Sequence, residues 1–320
     1  MEDHSLDFDP QLKGLSIHDW SNRIHEIAEQ FGSVTPLGDA HTAYFLKAGP
    51  KLLVTFESAE RIRGSRLAAE PRGFLYAREE GWSCLTIVSE HLSWFREQAI
   101  YEYFDSLTDD GVFEGFDDVL FYGALAGGYA AAAYCVASPG ARVLALQPQA
   151  TLDPRIASFD LRFKSHRRHD FRSRYGFAPE MVDAADHAYI VYDPMQKIDA
   201  SHGALFAKRN VSLLHATSLG RDIEMTFDGL GTHDDMLLAA MDGKLTDLKF
   251  AKLMRARRAD RRYKRRLLQR ALNAGHSQLA ANLCARVLDE NDDPFFVERL
   301  AELEADGIVP SRPPASKAAQ

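Results

Sequence analysis

The most chemically suggestive spacing lies in the segment 117–134, DDVLFYGALAGGYAAAAY. An apolar run leads into Gly123, Gly127 and Gly128 follow, and a run of alanines comes next. This pattern predicts a strand, a sharp turn and a helix, because glycine tolerates tight turns and lets a helix approach a sheet closely. Such a turn aims backbone N–H groups at the space above the helix, where they could stabilise an anion or an oxyanion.

The same segment excludes two common alternatives. It lacks the G-x-G spacing of a dinucleotide-binding loop, and no Gly-Lys-Ser/Thr follows as in a phosphate loop. Residues 119–138 carry no charge over twenty positions, which is long enough to cross a bilayer. The clustered glycines nevertheless favour a strand, a turn and a helix over a membrane span.

The segment resembles the nucleophile elbow of the α/β-hydrolase fold, in the G-x-S-x-G-G-Y form of acyl esterases. The residues that match its glycines and tyrosine are Gly123, Gly127, Gly128 and Tyr129. The resemblance implies a serine at the tip, but Leu125 stands there and cannot attack a carbonyl. Its neighbours Ala124 and Ala126 are equally inert. The alternative is a tight turn in an ordinary doubly wound sheet.

The resemblance also implies an acid after the seventh strand and a histidine after the eighth. Asp193 directly follows the predicted strand 188–192, and Asp199 comes shortly after it, so either fits the acid. Asp193 precedes a proline, which is also a common way to open a turn. The histidine position after Gly220 holds Arg221, which stays protonated and cannot act as a general base.

Relocated catalytic groups remain an alternative. His215 ends the predicted eighth strand and His233 lies farther on, and either could replace the missing histidine. An active hydrolase or acyltransferase would then use Ser58, His215 and Asp193. That arrangement requires Ser58 Oγ to lie about 3 Å from a nitrogen of His215.

A basic run at 162–174 lies where α/β-hydrolases insert a cap over the site. Arg167 and Arg168, with Arg221 at the same rim, predict a cationic lid that holds a carboxylate, phosphate or sulfate. The alternative is a solvated face. The complete set of predicted ligand-binding residues is Gly123, Leu125, Ala126, Gly127, Tyr129, Arg167, Arg168 and Arg221.

A second basic run, 255–270, predicts a helix with Tyr263 and Leu267 facing inward. The net charge is −8 and no nucleic-acid-binding motif is visible, so we expect these arginines to pair with the chain's own acidic surface.

Neither a metal nor a cofactor is expected. His166, His169 and Asp170 come nearest to ligand spacing, but no second pair accompanies them. The three cysteines lie far apart, which argues against a disulfide framework and fits a reducing, cytoplasmic compartment. The acidic first residues lack the features of a secretory signal.

The elements that must position these residues are short apolar runs that alternate with helical patterns. Strands are predicted at 43–46, 52–56, 72–77, 83–88, 119–122, 141–147, 188–192 and 211–215, and helices at 20–31, 93–107 and 129–137. Continuous apolar strands indicate a sheet that is covered on both faces. We therefore predict an α/β fold, a doubly wound and mostly parallel sheet of α/β-hydrolase type, with 119–122 between 52–56 and 141–147.

A chain of 320 residues has room for more than one domain. We predict a flexible lead-in at 1–15, the α/β domain at 16–233, a helical extension at 234–307 and a disordered tail at 308–320. The segment 273–303 resembles a tetratricopeptide-type helical hairpin.

The sequence as a whole predicts a cytoplasmic, catalytically degenerate α/β-hydrolase-like protein. Its former substrate cleft would bind a small anionic ligand or a protein partner. The alternatives are the active enzyme with relocated groups and a doubly wound protein that binds a nucleotide or sugar. Neither a membrane nor a nucleic acid is an expected partner, and a homo-oligomer stays open.

Overall fold

The computed structural model describes residues 4–65 and 68–311. The chain divides into two compact units, one ending at Met254 and the other beginning at Arg255. The strands are β1 (Gly32–Leu37), β2 (His41–Leu46), β3 (Gly49–Ser58), β4 (Trp82–Ser89), β5 (Asp118–Ala124), β6 (Arg142–Leu146), β7 (His187–Tyr192) and β8 (Val211–His215).

The α-helices of the described residues are α1 (Ile17–Phe31), α2 (Ala59–Ser65), α3 (Arg72–Glu79), α4 (Gln98–Asp109), α5 (Ala126–Tyr134), α6 (Ala178–Met181), α7 (Lys197–Leu205), α8 (Ile223–Leu230), α9 (His233–Met241), α10 (Asp247–Leu253), α11 (Arg261–Asn273), α12 (Ser277–Glu290) and α13 (Pro294–Ala305). Short 3-10 helices include Lys164–Arg168 and Met254–Arg258.

The eight strands form one sheet in the order β1-β2-β4-β3-β5-β6-β7-β8. β2 runs antiparallel to both of its neighbours, and the pairs from β4 to β8 are parallel. β5 therefore lies between β3 and β6, as the α/β-hydrolase interpretation predicts. That fold is confirmed, and the alternative of a doubly wound sheet of another class is wrong.

Helices cover both faces of the sheet. α4, α5 and α6 pack on one face around a large aromatic and alanine core, while α1 and α3 pack on the other. Side chains alternate along β5, so Phe121 enters the first core and Tyr122 points to the other face, against His233 of α9. Every residue of β4 is buried, in keeping with a strand covered on both sides.

One predicted strand is a helix in the structure, and one observed strand was not predicted. The segment 72–77 forms the start of α3 instead of a strand, because Phe74 and Ala77, three residues apart, are both buried on one helical face. Gly73 lets this helix approach the sheet, since a Cβ there would lie 2.2 Å from Thr86 Oγ1. β1 was not predicted. It contains Pro36, which an edge strand tolerates.

The boundary between the units also differs from the prediction. α9 and α10 belong to the first unit rather than to a helical extension beginning at 234. Met236, Leu237 and Met241 of α9 are fully buried, and Arg142 at the start of β6 donates to the carbonyl oxygen of Met241 at 2.5 Å. The expected flexible lead-in is irregular over its described residues, but Leu12 is buried and Leu6 N donates to Ala77 O at 3.1 Å.

The second unit consists of α11, α12 and α13 around a small core of its own, which includes Leu268, Cys284 and Phe296. Leu268 is buried in α11, whereas Leu267, which was expected to face inward, is only partly so. The tetratricopeptide-like resemblance stays a prediction. Of the expected tail, Ile308 packs against this core, and 312–320 lie outside the described residues.

Within the part of the chain that the structure describes, no helix is long and apolar enough to cross a membrane.

Candidate binding cleft at the elbow

The predicted elbow is present between β5 and α5. Leu125 stands at its tip with φ 55° and ψ −120°, a backbone conformation that residues other than glycine rarely adopt. Its N–H donates to Leu146 O of β6 at 2.8 Å, which fixes the turn to the sheet. Backbone strain of this kind costs about 1–3 kcal/mol and persists only where the surroundings enforce it.

The glycines around the turn are required by close backbone contacts. A Cβ on Gly123 would lie 2.2 Å from Gly127 O, and a Cβ on Gly127 would lie 2.2 Å from Phe56 O of β3. Real Cβ atoms do not approach that closely, so only glycine lets β5 turn directly into α5 here. Close backbone contacts therefore explain why glycine occupies these positions of the G-x-x-x-G-G pattern.

A cleft opens above this turn, and the side chain of Leu125 is partly exposed on it. The lining residues are Phe56, Glu57, Ser58, Arg61, Ser89, Leu92, Ser93, Phe95, Tyr122, Ala124, Leu125, Ala126, Gly127 and Glu224. The volume of the cleft is about 50 Å³. Pockets that enclose a drug-sized ligand usually exceed ~300 Å³, so this one admits only a small group.

Of the ligand-binding residues predicted at the elbow, Leu125, Ala126 and Gly127 line the cleft. Tyr129 does not, because it is fully buried and its hydroxyl donates to Tyr175 O at 2.8 Å. Gly123 is likewise buried beneath the turn. These two residues support the elbow from inside the fold.

Glu224 at the start of α8 joins the cleft to the helices behind it. Tyr122 donates its hydroxyl hydrogen to Glu224 Oε1 at 2.6 Å, and Arg61 donates to Glu224 Oε2 at 2.8 Å. Arg61 also forms a fork with the two oxygens of Asp222, both at 3.1 Å. These contacts tie α2 to α8 across the cleft.

A second set of charges lies deeper. Arg72 contacts Asp228 at 2.9 Å, and Asp228 accepts a hydrogen bond from His233 Nδ1 at 2.6 Å. Burial alone would raise the pKa of Asp228, but the hydrogen bond and charge of His233 and the charge of Arg72 lower it to about 2. Burial and the nearby Arg72 lower the pKa of His233. His233 does not line the cleft, so it does not replace the missing base.

Asp193 and Arg221, at the predicted acid and histidine positions, belong to loop structure and do not line the cleft. Asp193 is fully buried and accepts hydrogen bonds from the backbone N–H groups of Met195, Ser218 and Gly220 at 2.9–3.0 Å. It therefore shapes the loop after β8. Arg221 in that loop is exposed and does not line the cleft. Its predicted place at the rim of the cleft is not observed.

Asp199 belongs to a different buried network. It accepts hydrogen bonds from Gln147 at 3.0 Å and from Arg162 at 2.7 Å. Arg162 also pairs with Asp160, which accepts from His202 Nε2 at 3.0 Å. Since His202 Nδ1 accepts from Ala150 N, its Nε2 carries the proton.

The relocated triad is not assembled. Ser58 ends β3 and His215 ends β8, and β5, β6 and β7 lie between them. Four strand spacings place the two residues about 19 Å apart, far beyond hydrogen-bond reach. Ser58 Oγ instead accepts from Arg61 N at 3.3 Å, and His215 pairs with Tyr192 at 3.0 Å. The prediction that Ser58, His215 and Asp193 form a triad is wrong.

The basic run does not cover the elbow either. Arg167 donates to the carbonyl oxygens of Ala157 and Asp160, and Arg168 is exposed. Both line another cavity, which shares no residue with the cleft. The placement of these arginines as a lid over Leu125 is therefore wrong.

Six polar residues of the cleft were not predicted: Glu57, Arg61, Ser89, Ser93, Tyr122 and Glu224. Glu57 Oε1 accepts from Thr55 Oγ1 and from Arg72 N, both at 2.9 Å. The sequence did carry a signal for Glu224, because this residue lies close to Arg221, in the segment after β8 that the fold brings to the elbow. The resemblance implies a histidine in that segment and gives no role to Glu224.

No protein-family model and no curated protein sequence matches the chain. Solved structures with a similar fold include carboxyl esterase 2 from the mycorrhizal fungus Tuber melanosporum, which is 15% identical over 66% of this chain and 85% of the esterase, with a TM-score of 0.42. An esterase from Pyrobaculum calidifontis is 12% identical over 72% of this chain and 95% of its own, with a TM-score of 0.44.

A third similar structure is the Glycosylation Associate Protein (Gap123) complex from Streptococcus agalactiae. It is 15% identical, covers 67% of this chain and 47% of its own, and has a TM-score of 0.42. Because these identities and TM-scores are low, the fold assignment rests on the strand order and the elbow of this chain.

Proposed function

Because the chain has an α/β-hydrolase fold with leucine at the nucleophile position, we propose that it is a catalytically inactive member of this fold that binds a protein partner at the elbow cleft. The observation that carries the proposal is the side chain of Leu125. It stands on the cleft floor at φ 55°, where the fold would present an attacking oxygen.

The chemistry of the cleft supports inactivity. No histidine is among its described lining residues, and the elbow itself offers no hydroxyl. Ser93 on the cleft does contact an imidazole, with its Oγ 2.6 Å from His41 Nε2, but it lies outside the elbow and its Oγ also accepts a hydrogen bond from Phe95 N at 2.9 Å. Glu224 offers no ready substitute, because its two carboxylate oxygens already accept hydrogen bonds from Tyr122 and Arg61. Ser58, which ends β3 at the cleft, caps the start of α2.

The size of the cleft favours a protein partner over a small anionic ligand. A volume of about 50 Å³ holds little more than a short side chain. Much of the lining is apolar, with Phe56, Phe95 and Leu125, and Leu92 on the rim is 50% exposed. A partner that inserts one short apolar side chain would bury this surface, as anchors at protein interfaces do.

Inactivity is tested with a fluorophosphonate probe and a panel of short acyl esters. We expect neither labelling nor turnover in the wild-type protein. The Leu125→Ser variant is expected to stay inactive as well, because it restores the hydroxyl without a base. Labelling or turnover that either Ser58→Ala or Ser93→Ala abolishes would show an active enzyme and end the proposal.

Partner binding is tested with Leu92→Asp and the matched variant Leu248→Asp. Leu248 is 66% exposed on α10 and does not line the cleft. A partner isolated on the wild-type protein should be retained by Leu248→Asp and lost by Leu92→Asp, since a charge on the rim would have to be buried. Equal retention by both variants would contradict binding at the cleft.

A further inference from the structure

The segment between β6 and β7 forms an open surface cavity of about 280 Å³. Its cationic walls are Arg167, Arg168 and Arg172, and Asp153 and Asp170 also line it. We propose that this cavity is a second binding site, for a small organic molecule that carries a phosphate- or sulfate-type oxyanion. The site is independent of the elbow cleft, with which it shares no lining residue.

Both carboxylates in the wall already have partners: Asp153 pairs with an arginine, and Asp170 accepts backbone hydrogen bonds. Arg155, which does not line the cavity, pairs with both oxygens of Asp153 at 2.5–3.2 Å. Asp170 Oδ1 accepts hydrogen bonds from the backbone of Arg172 and Ser173 at 2.7 and 3.1 Å, and contacts with these residues lower the pKa of Asp170 to about 2. The arginines therefore leave the cavity positively charged, although the chain as a whole carries −8.

Hydrogen-bond donors remain for a ligand. Among the described residues, the guanidinium of Arg168 has no hydrogen bond or ion pair. Arg167 Nε is buried and has no partner there either, while its Nη2 donates to backbone carbonyl oxygens. Arg172 is exposed, with its Nε 3.4 Å from Asp153 Oδ2. Because Arg167 Nε is buried away from solvent, the donors that a ligand in the pocket could reach include those of Arg168 and Arg172.

The walls are held in place before any ligand arrives. Arg167 fixes the chain between Ala157 and Asp160 by donating to their carbonyl oxygens at 2.9 and 2.5 Å. On the other side, Arg96 donates to Asp170 O at 2.7 Å and to Arg174 O at 2.6 Å. The backbone that carries the donors therefore needs little reordering when a ligand binds.

The arginine donors and the volume together define the ligand class. The planar guanidinium group donates paired hydrogen bonds to two oxygens of a phosphate or sulfate group. The volume of about 280 Å³ is much larger than one water's share of ~30 Å³ and close to the ~300 Å³ of small-molecule pockets. The cavity therefore fits an oxyanion with an organic group better than a bare ion.

The experiment is calorimetric titration of the full chain at low salt with glycerol 3-phosphate, inorganic phosphate and glycerol. We expect saturable binding of glycerol 3-phosphate, weaker binding of inorganic phosphate, and none of glycerol. Equal binding of the two anions would identify free phosphate as the source of the ligand chemistry and still support the site. No saturable binding of either anion would overturn it.

Variants locate the site. Arg168→Gln should weaken glycerol 3-phosphate binding about tenfold, and Arg168→Lys should weaken it less, because lysine keeps the charge without the fork. Lys164→Gln is the matched control, since Lys164 is an exposed cation of the same 3-10 helix that does not line the cavity. Equal weakening by Arg168→Gln and Lys164→Gln would show a diffuse charge effect and overturn the proposal. An unchanged thermal unfolding midpoint shows that each variant is folded.

Discussion

Tyr122 on β5 and Glu224 on α8 are joined by a buried hydrogen bond of 2.6 Å, from the tyrosine hydroxyl to Oε1. The two residues are far apart in the chain, and both line the cleft above Leu125. Glu224 also accepts from Arg61, so one carboxylate connects the central strand, α2 and α8. The loop after β8, which the fold would use for a catalytic histidine, here leads into an ion-pair network.

Tyr122→Phe should destabilise the first unit by about 1–2 kcal/mol, because it removes a buried hydrogen bond to a charged acceptor. Urea unfolding measures the loss. Tyr192→Phe is the matched control, since the Tyr192 hydroxyl pairs with the exposed His215 and its loss should cost less. Equal losses in the two variants would contradict a special role for the Tyr122 contact.

Gly127→Ala should destabilise the fold by about 3 kcal/mol or more, because its Cβ would overlap Phe56 O at 2.2 Å and either β3 or α5 must shift. Gly229→Ala in α8 is the control. Nothing lies within 4 Å of a Cβ there, so alanine should stabilise the helix by about 0.5–1 kcal/mol. Denaturant midpoints of both variants provide the measurement, and a stable Gly127→Ala variant would contradict the close packing at the elbow.

The sequence predicted the elbow and the central strands well because their constraints are local. Gly123 and Gly127 sit at fixed spacing in a turn that tolerates nothing larger, and the apolar runs of β3, β5 and β6 read directly as covered strands. The cleft chemistry was harder to predict. Arg61 and Glu224 lie in different helices, and only the folded sheet brings them within 2.8 Å.

The incorrect predictions for Arg167 and Arg168 have the same cause, because local sequence does not show which groups a side chain contacts. Arg167 and Arg168 belong to a charged run, and composition alone cannot say that Arg167 holds backbone carbonyl oxygens of its own segment. Ser58 and His215 looked usable because both end strands, but strand order in the sheet separates them. Local pattern gives the element, whereas long-range pairing decides which side chains meet.

The Asp228 carboxylate should make stability depend on pH in the acid range. Its pKa is about 2 in the folded chain and ~3.9 when unfolded, so its contribution is complete above pH ~4 and is lost as the pH falls toward ~2. The shift corresponds to about 2–3 kcal/mol. Asp228→Asn should therefore lower stability at pH 6 and flatten the decline between pH ~4 and ~2.

Urea unfolding at several pH values measures this profile. Asp235→Asn is the control, because Asp235 is an exposed carboxylate in the first turn of α9, near Asp228 in sequence. It should leave the slope between pH ~4 and ~2 unchanged. A wild-type slope retained in Asp228→Asn would show that other carboxylates dominate acid unfolding.

Asp293 should be the most sensitive polar residue of the second unit. It caps α13 by accepting from Phe295 N at 3.1 Å, and it pairs with Arg261, with one contact at 2.6 Å, and with Arg265 at 3.8 Å. Asp293→Ala should destabilise this unit by about 1–2 kcal/mol, since it removes a helix cap and leaves Arg261 without its carboxylate. Asp292→Ala, at the exposed neighbouring position, should change stability by less than about 0.5 kcal/mol. Hydrogen exchange of the α13 amides reports the unit separately, and equal exchange rates in the two variants would show that the Asp293 contacts contribute nothing to α13.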